Sequence, residues 1–394
     1  MVSALLGSLP PEGRLIVECI SLSAEPESRT RAAEHASGGI DWERLLQYAA
    51  GHFVVPPVHN ALSECVNRVP ASMRKRLRHA HACIAMQQRR GAQELVQVSA
   101  ELASAGASSI ALKGPALAMQ AYGRIDARQC GDLDILIRAG DLPLIAAVLG
   151  KRGYRAEPNQ ERPPNIAFFD VFEEKFVSQR GRVDLHLDFL PSYFPFPDRE
   201  AMRRDAVSIT LEDSEVLTLA RADQLIFSIL HATKHGWGWG SLRSMCDIAR
   251  LTATGLADWE QTEEEMAGFG CGRMCHLGAV LSHAFAGAAV PRPVLDRATS
   301  DKKVMRLAAQ TACTLFPVPD LHRSGWFFQL NAIQGFGWRA RYLLNRGLRP
   351  TIAEWESLPL PRAFYWVYYL THPARLAVHH GVRLFSRPAQ AAGQ

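Results

Sequence analysis

The spacing of apolar residues changes twice along the chain, and these changes divide it into three segments. Residues 14–107 carry apolar side chains every three to four positions, which is typical of amphipathic helices. Asp41 precedes one such run as a suitable helix N-cap, and a longer run extends from about residue 71 to residue 106. The helical period returns from about Ser214 onward. The pattern therefore predicts helices on both sides of a different central segment.

The central segment has shorter apolar runs, separated by turns. In chain order it predicts a strand, a short helix, a second strand, a helix and a β-hairpin, over residues 109–112, 116–122, 132–137, 141–151, and 172–177 with 183–189. The hairpin turns at Arg180-Gly181. In its second strand Asp184, His186 and Asp188 alternate with apolar residues, so one face of that strand meets the core and the other meets a polar cleft.

These elements predict an α+β fold. A small mixed sheet forms the core, and N-terminal helices and a large C-terminal helical region flank it. We place the boundaries at residues 1–107 for the N-terminal helical segment, 108–200 for the α/β core and 201–394 for the C-terminal helical domain. A chain of 394 residues is long for one domain and natural for two or more.

Composition adds that the chain is an ordinary globular one, with 47% hydrophobic and 21% charged residues. The N-terminus lacks a basic stretch and is interrupted by Pro10-Pro11, which argues against a signal peptide. The longest nearly apolar run, residues 277–290, is too short to cross a bilayer and contains His283. We therefore expect a soluble, cytoplasmic protein without a transmembrane segment.

Two other features have plain structural interpretations. Eight cysteines are scattered without a disulfide framework, and the group Cys271, Cys275 and His276 lacks the second pair that a tetrahedral metal site needs. We expect these thiols to be reduced and buried. Net charge is uneven, because residues 339–394 hold eight arginines against two glutamates, within a total of +5. This basic segment fits polyphosphate, an acidic partner or a membrane surface, and solvated helix faces explain it equally well.

Candidate chemistry centres on three carboxylates. Asp132 and Asp134 are two residues apart at the start of a predicted strand, so they project from the same face. Such a pair can bridge two Mg²⁺ ions, with Mn²⁺ as the alternative metal. Asp184 is the candidate third ligand on the neighbouring hairpin strand, and Asp188 is its rival. Two acids alone would be a weak signal. A catalytic site is favoured by the order of the motifs, in which a glycine turn and a helix precede the two acids and the third acid follows on the hairpin.

Basic residues near the acids suit a nucleoside triphosphate. Gly114 lets the backbone approach a phosphate, Pro115 fits a first helical turn, and Lys113 adds a charge. Arg128 precedes the acids and is a candidate clamp for a phosphate oxygen. His186 shares the polar face with Asp184, where it is either a general base or a residue that supports the carboxylate.

A second set of polar residues occurs in the predicted C-terminal helices. His231 and His235 share one helix face, and with Asp247 they suggest a metal-dependent phosphohydrolase, but the adjacent His-Asp pair of such enzymes is absent. We instead expect Lys234 and His235 to line the cleft beside the nucleotide, with His231 in the core. Trp237 and Trp239 either stack on a base or pack in the core, and packing is favoured.

The ordered motifs resemble the DNA polymerase β-like nucleotidyltransferase superfamily, and within it the bacterial family of uncharacterised nucleotidyltransferases. The resemblance covers roughly residues 14–380 and is carried by Asp41-Trp42, Ala49, His52, Leu112-Lys113-Gly114, Tyr122, Arg128, Gly131-Asp132-Leu133-Asp134, Val183-Asp184-Leu185-His186, His231, Lys234-His235 and Asp247. It implies metal ligands at Asp132, Asp134 and Asp184, and phosphate contacts at Lys113 and Gly114. The superfamily commonly has Gly-Ser at the turn, whereas Pro115 follows Gly114 here, so Lys113 takes the phosphate role.

The resulting hypothesis is Mg²⁺-dependent transfer of a nucleoside monophosphate from an NTP to an acceptor, with release of pyrophosphate. The resemblance implies tailoring of a small molecule, a sugar phosphate or a peptide, and the sequence does not choose among these acceptors. A nucleic acid template is disfavoured, because no basic face interleaved with aromatic residues stands out. The alternative is a non-catalytic nucleotide-binding protein of the same fold, with the basic C-terminus as its docking surface.

Overall fold

The computed structural model describes residues 5–7, 9–21, 39–65, 67–157, 168–238, 240–253, 255, 257–316 and 325–385. Its centre is one seven-stranded mixed sheet, and helices surround that sheet, which confirms the predicted α+β fold. No helix in these ranges is both long and apolar enough to cross a membrane.

The sheet joins strands that are not all adjacent in sequence. Its strands are β1 (Ser109–Ala111), β2 (Leu133–Ile137), β3 (Arg155–Ala156), β4 (Glu173–Ser178), β5 (Gly181–His186), β6 (Val207–Leu211) and β7 (Ser214–Thr218). Their spatial order is β3-β4-β5-β2-β1-β7-β6. Strand β2 pairs in parallel with β5 and antiparallel with β1, while β1 pairs in parallel with β7. The acidic strands β2 and β5 are therefore direct neighbours at the centre of the sheet.

The helices before and within the sheet include each predicted one, together with the short helix Arg199–Arg204, which was not predicted. They are α1 (Pro11–Ile20), α2 (Trp42–Gly51), α3 (Val55–Ser63), α4 (Ala71–Ser104), α5 (Gly114–Tyr122), α6 (Leu142–Lys151) and α7 (Arg199–Arg204). Asp41 caps α2 by accepting hydrogen bonds from the amides of Glu43 and Arg44, as predicted. Helix α4 crosses one face of the sheet, where Leu133, Ile135 and Ile137 of β2 pack with it.

The C-terminal helices cover the other face. They are α8 (Arg221–Lys234), α9 (Ser241–Ala253), α10 (Trp259–Gly268), α11 (Gly272–Ala286), α12 (Arg292–Ser300), α13 (Lys302–Leu315), α14 (Trp326–Ala332), α15 (Phe336–Leu348), α16 (Ile352–Ser357) and α17 (Tyr368–Phe385). Apolar residues of α1–α3 share one hydrophobic core with α8, α9, α11 and α13. His52 lies in that core, with its Nε2 2.9 Å from the carbonyl oxygen of Leu315.

One part of the predicted layout is wrong. Residues from Ser214 were expected to be helical, yet Ser214–Thr218 is strand β7, and it forms a hairpin with β6. The turn between them consists of Glu212 and Asp213, both with positive φ, of 48° and 63°. Such turns usually carry glycine or asparagine, so the hairpin had no turn signal in the sequence. The sheet thus runs past residue 200, where we had placed the end of the core.

Candidate active site

The carboxylates of β2 and β5 face the same side of the sheet. Asp134 is the register partner of Asp184, and Leu136 is the register partner of His186, in a parallel pair. Asp134, Asp184 and His186 are all buried. Asp132 lies in the bend just before β2 and is half-buried. Asp134 and Asp184 therefore lie side by side on neighbouring strands, and Asp132 precedes β2 by one residue.

Asp134 is held by two basic side chains. Lys113 Nζ donates a hydrogen bond to Asp134 Oδ1 over 2.9 Å, and His186 Nε2 lies 2.9 Å from the same oxygen. Burial alone would raise the pKa of Asp134, but Lys113 and His186 hold this pKa well below its usual range. Of the two roles predicted for His186, this contact matches the support of a carboxylate. The supported carboxylate is Asp134, whereas we had expected Asp184.

Asp184 has a different environment. Arg182 Nε donates to Asp184 Oδ1 over 2.7 Å. Burial raises the pKa of Asp184, and the nearby charges of Asp132 and Asp134 add to this rise, while Arg182 opposes it. The rival residue Asp188 instead accepts a hydrogen bond from Arg199 Nε over 2.7 Å. Asp184, and not Asp188, therefore belongs with the other two acids.

The Lys-Gly turn brings a cation to these acids. Gly114 has a φ of +64°, a backbone conformation that strongly favours glycine, and it begins helix α5. The turn lies against the next strand, because a β-carbon at Gly114 would be 3.5 Å from the carbonyl oxygen of Asp132. Lys113 is the residue before the helix, and this position directs its side chain to Asp134.

Helix α8 borders the site through a contact with Lys113. Lys113 Nζ also donates to Nε2 of His231 over 3.0 Å, and the ring of His235 is 4.6 Å from that of His231. Lys234 Nζ lies 4.0 Å from the ring centre of Phe172. Enclosure in the cleft and the charge of Lys113 lower the pKa of Lys234 to about 8, although Glu173 opposes this shift. His231, which we expected in the core, thus contacts Lys113 directly. The place of Lys234 and His235 beside a nucleotide stays a prediction.

Residues Phe172 and Glu173 are part of this cleft and were missed. Glu173 is the register partner of His186 on β4, so it faces the same side of the sheet. Burial opposes the shift, but Lys234 and His186 lower the pKa of Glu173. The only sequence signal was the alternation of β4, which places Glu173 and Lys175 on one face.

Arg128 takes a structural position, which corrects its predicted role as a phosphate clamp. Its buried guanidinium donates from Nε to Asp247 Oδ1 over 2.9 Å, and the hydroxyl of Tyr122 donates to the same oxygen over 2.8 Å. Arg128 is therefore committed to Asp247. The same contacts remove Asp247 from any partnership with His231 and His235, which excludes the phosphohydrolase arrangement.

The remaining candidates pack in the core. Trp237 is buried, and its indole Nε1 donates to Thr233 Oγ1 over 3.1 Å. Trp239 lies outside the described residues. Cys271 and Cys275 are buried free thiols, and burial raises the pKa of Cys271 to about 12, far from a reactive thiolate.

The fit of a divalent metal depends on the acids. Within the described ranges, no three His, Cys, Asp or Glu side chains are gathered closely enough to hold a metal ion by themselves. The donor chemistry does fit Mg²⁺, because Asp134 and Asp184 are carboxylates in register, and Oδ2 of each accepts no hydrogen bond from a described residue. Proteins commonly bind Mg²⁺ with one or two carboxylates, the remaining ligands being substrate phosphates and water.

A cavity of about 550 Å³ lies on the α4 side of the sheet, and Asp132 is the one of the three predicted acids among its lining residues. Asp132, Leu133 and Pro115 form its inner end, and the β4–β5 turn forms one wall. The wall from α4 is polar, with the side chains of Gln87, Arg90, Gln93, Glu94 and Gln97. Gly91 lies among these residues in the middle of the helix. The cavity thus has a polar wall, mostly of amide side chains, and lies beside Asp132, the acid that precedes β2.

Comparison with known proteins agrees with this arrangement. The sequence model of the family described as "uncharacterised nucleotidyltransferase" matches residues 38–287. Because this match covers more than half of the chain, the chain belongs to that family. The protein is therefore a nucleotidyltransferase, an enzyme of nucleotide transfer.

Other comparisons add little. None of the curated proteins matches the chain. Among solved structures, it is similar to that of the antibiotic-resistance factor ANT(2'')-Ia, with 12% identity over 45% of this chain and 90% of that one. The TM-score of 0.34 is too low to support a conclusion about fold or substrate.

Proposed function

We propose that the protein transfers a nucleoside monophosphate from an NTP to a hydroxyl-bearing acceptor. The observation that carries this proposal is the position of Lys113. Its ammonium lies between Asp134 of the sheet and His231 of helix α8, at 2.9 and 3.0 Å. One cleft thus contains the lysine of the Gly turn, the carboxylates of the sheet and the side chains of α8. This combination suits the phosphates of an NTP and their counter-ions.

The transfer would proceed by displacement at the α-phosphorus. The acceptor oxygen forms a bond to this phosphorus, the bond to the bridging oxygen breaks, and pyrophosphate leaves with the electron pair. The acceptor's proton passes to a carboxylate of the cluster. When bound to Asp134, Asp184 and Asp132, Mg²⁺ would neutralise phosphate charge and lower the pKa of the attacking hydroxyl.

Each protein residue then has a defined task. Lys113 and Lys234 neutralise charge on the triphosphate, and His235 lines the same wall. The backbone at Gly114 approaches a phosphate without steric hindrance. His186 fixes the orientation of Asp134 through their 2.9 Å contact, so it is a positioning residue.

The cavity beside Asp132 supports a proposal for the acceptor. Its lining contains Arg90, Arg180 and Arg182 against Glu94 and Asp132, a balance that disfavours a polycationic acceptor. The glutamine amides of α4 can both donate to and accept from hydroxyl groups. Of the three acceptor classes expected from the sequence, we propose a sugar phosphate, because arginines and amides together suit an anionic polyhydroxylated molecule.

The test is pyrophosphate release from each NTP with Mg²⁺ and a pool of sugar phosphates, followed by mass spectrometry of the acceptors. We expect Asp134→Asn to lower turnover by at least about 10³-fold, because it removes a ligand that stabilises transition-state charge. The matched control is Asp188→Asn, which follows the same strand but contacts Arg199, and it should retain most activity.

Two results would contradict the proposal. Full turnover by Asp134→Asn would disprove the role of the acidic face. NTP binding without pyrophosphate release, whatever the acceptor, would favour the non-catalytic nucleotide-binding protein that the sequence left as an alternative.

A further inference from the structure

The last part of the chain exposes an unusual amount of apolar surface. Ten of the fourteen large apolar side chains that are exposed in the described ranges lie between residues 327 and 370. The most exposed are Phe336 at 89%, Leu370 at 66%, Phe327 at 63% and Trp366 at 60%. Single exposed apolar residues are ordinary, whereas a concentration of them marks an interaction site. This concentration lies beyond residue 287, where the family match ends.

These side chains lie on helices that pack together. Helix α15 exposes Phe336, Leu344 and Leu348, and it packs against α17. The carbonyl oxygen of Arg346 on α15 lies 3.0 Å from Nε2 of His372 on α17. We call the exposed apolar residues of α15, the 3₁₀ turn Arg362–Val367 and the start of α17 the C-terminal apolar surface.

The same elements are strongly basic. Arg341, Arg349 and Arg362 are exposed on them or directly beside them. Between residues 326 and 377 the sequence contains only two acids. One of them, Glu354, is buried and accepts hydrogen bonds from Thr351 and Arg375, so it does not present its charge to a partner. The outward charge of the C-terminal apolar surface is therefore positive.

This combination points to one kind of partner. A second copy of the chain would bring these arginines against their own counterparts, since a two-fold interface pairs a surface with itself. An anionic lipid surface instead attracts the arginines, and its interfacial region accepts Trp, Phe and Leu side chains. We propose that the C-terminal apolar surface docks the protein on anionic membranes by interfacial insertion, without crossing them.

The test is sedimentation of the purified protein with vesicles of phosphatidylcholine containing about 30% phosphatidylglycerol, because anionic headgroups attract basic residues near the membrane surface. We expect the protein to bind these vesicles and to bind pure phosphatidylcholine vesicles at least about tenfold more weakly. About 1 M NaCl, where the Debye length is ~3 Å, should release much of the bound protein.

Matched variants decide which surface is responsible. Leu348→Glu, and separately Arg341→Glu with Arg349→Glu, should each weaken vesicle binding by at least about fivefold, because each removes an apolar or electrostatic contribution. Leu144→Glu changes a leucine of similar exposure on α6, at 42% against 50%, and should bind vesicles as the unchanged protein does. Circular dichroism of each variant checks that the fold is retained.

Several outcomes would overturn the inference. Absence of binding to phosphatidylglycerol vesicles would do so, as would equal binding to neutral vesicles. Equal effects of Leu144→Glu and Leu348→Glu would show that the surface is not the docking site. Self-association without vesicles that Leu348→Glu abolishes, together with absent vesicle binding, would assign the surface to a second copy. None of these readouts depends on the reaction proposed above.

Discussion

At the scale of single residues, the electrostatics of the site depend on which basic side chain contacts which carboxylate. The sequence places Lys113 and His186 near the acids but does not say which carboxylate each one holds. In the structure both contact Oδ1 of Asp134, while Arg182 holds Asp184. The two central acids are therefore in different electrostatic environments although they are register partners.

Lys234 gives a prediction about pH. Its pKa of about 8 means that it is charged below that pH and neutral above it. If its charge binds phosphate, NTP affinity should fall by about tenfold as the pH rises from about 7 to 9, because a charge-assisted contact of 1.5–3 kcal/mol is lost. Calorimetric titration with a non-hydrolysable NTP across this range measures the effect.

A control separates Lys234 from other titrating groups. Lys234→Arg keeps a positive charge at all of these pH values, so its affinity should change much less across the range. A decline of the same size in Lys234→Arg would assign the pH dependence to a different group.

At the scale of elements, the helices hold the cleft in place through buried polar contacts. Arg128 precedes β2 and Tyr122 ends α5, and both donate to Asp247 of α9. The sequence offered these three residues as parts of a functional motif. The structure shows that they join two elements of the core to a C-terminal helix, with Arg128 and Asp247 buried.

Removal of Asp247 should therefore affect stability. Asp247→Ala leaves the guanidinium of Arg128 buried without its partner, and we expect a loss of about 3–5 kcal/mol in the free energy of unfolding. Chemical denaturation measures it. Asp126→Ala, which removes the partner of the exposed Arg124, is the control and should cost less than about 1 kcal/mol. Equal losses in both variants would contradict the structural role.

Helix α4 carries a glycine that its own stability does not require. Gly91 lies near the middle of a 34-residue helix, and a β-carbon there would be 3.9 Å from its nearest neighbours, Leu133 and Pro115. Alanine would therefore fit and should stabilise the helix by up to about 1 kcal/mol. The position faces the cavity beside Asp132, so the absent side chain leaves room for a ligand.

Substitutions at Gly91 should separate folding from acceptor use. Gly91→Ala should raise the melting temperature, whereas Gly91→Phe should raise the KM for the acceptor at least about tenfold by filling the cavity and leave NTP affinity unchanged. Ala100→Phe places the same ring at an exposed position of α4, away from the cavity, and is the control. Weakened NTP binding by Gly91→Phe would instead assign the cavity to the nucleotide.

At the scale of the whole molecule, the cleft lies between the sheet and the C-terminal helices. Asp134 comes from β2 and Lys113 from the turn before α5, while His231 and Lys234 come from α8. A triphosphate between them would connect the two parts. Ligand binding of this kind stabilises the complete fold and not only the site.

Thermal unfolding tests this arrangement. An NTP at about a hundredfold its Kd should stabilise the protein by ~2.7 kcal/mol, a rise of a few degrees in Tm. The rise should be larger with Mg²⁺ than with EDTA, because the carboxylates and the phosphates would share the cation. Lys113→Ala should reduce the rise. An equal shift with EDTA would show that nucleotide binding needs no metal.

Much of the molecule was predictable from local patterns. The period of 3.6 residues indicated α4, the alternation in 183–189 indicated β5, and Asp41 marked the start of α2. The hairpin β6–β7 was not predictable, because its turn uses Glu212 and Asp213 at positive φ in place of glycine. Turn prediction from residue type fails here, because the pairing of the two strands, and not the turn residues, determines the conformation of the turn.

Local patterns in the chain were enough to predict the order of the site: a Lys-Gly turn, two acids before or on one strand and a third on a later strand. These signals are local, since spacing along a strand fixes the face of each side chain. The pairing of β2 with β5, the contact of Arg128 with Asp247 and the approach of His231 to Lys113 appear first in the folded chain. Strand pairing, burial and ion pairing join residues that are distant in sequence, and no local pattern encodes which partner each one meets.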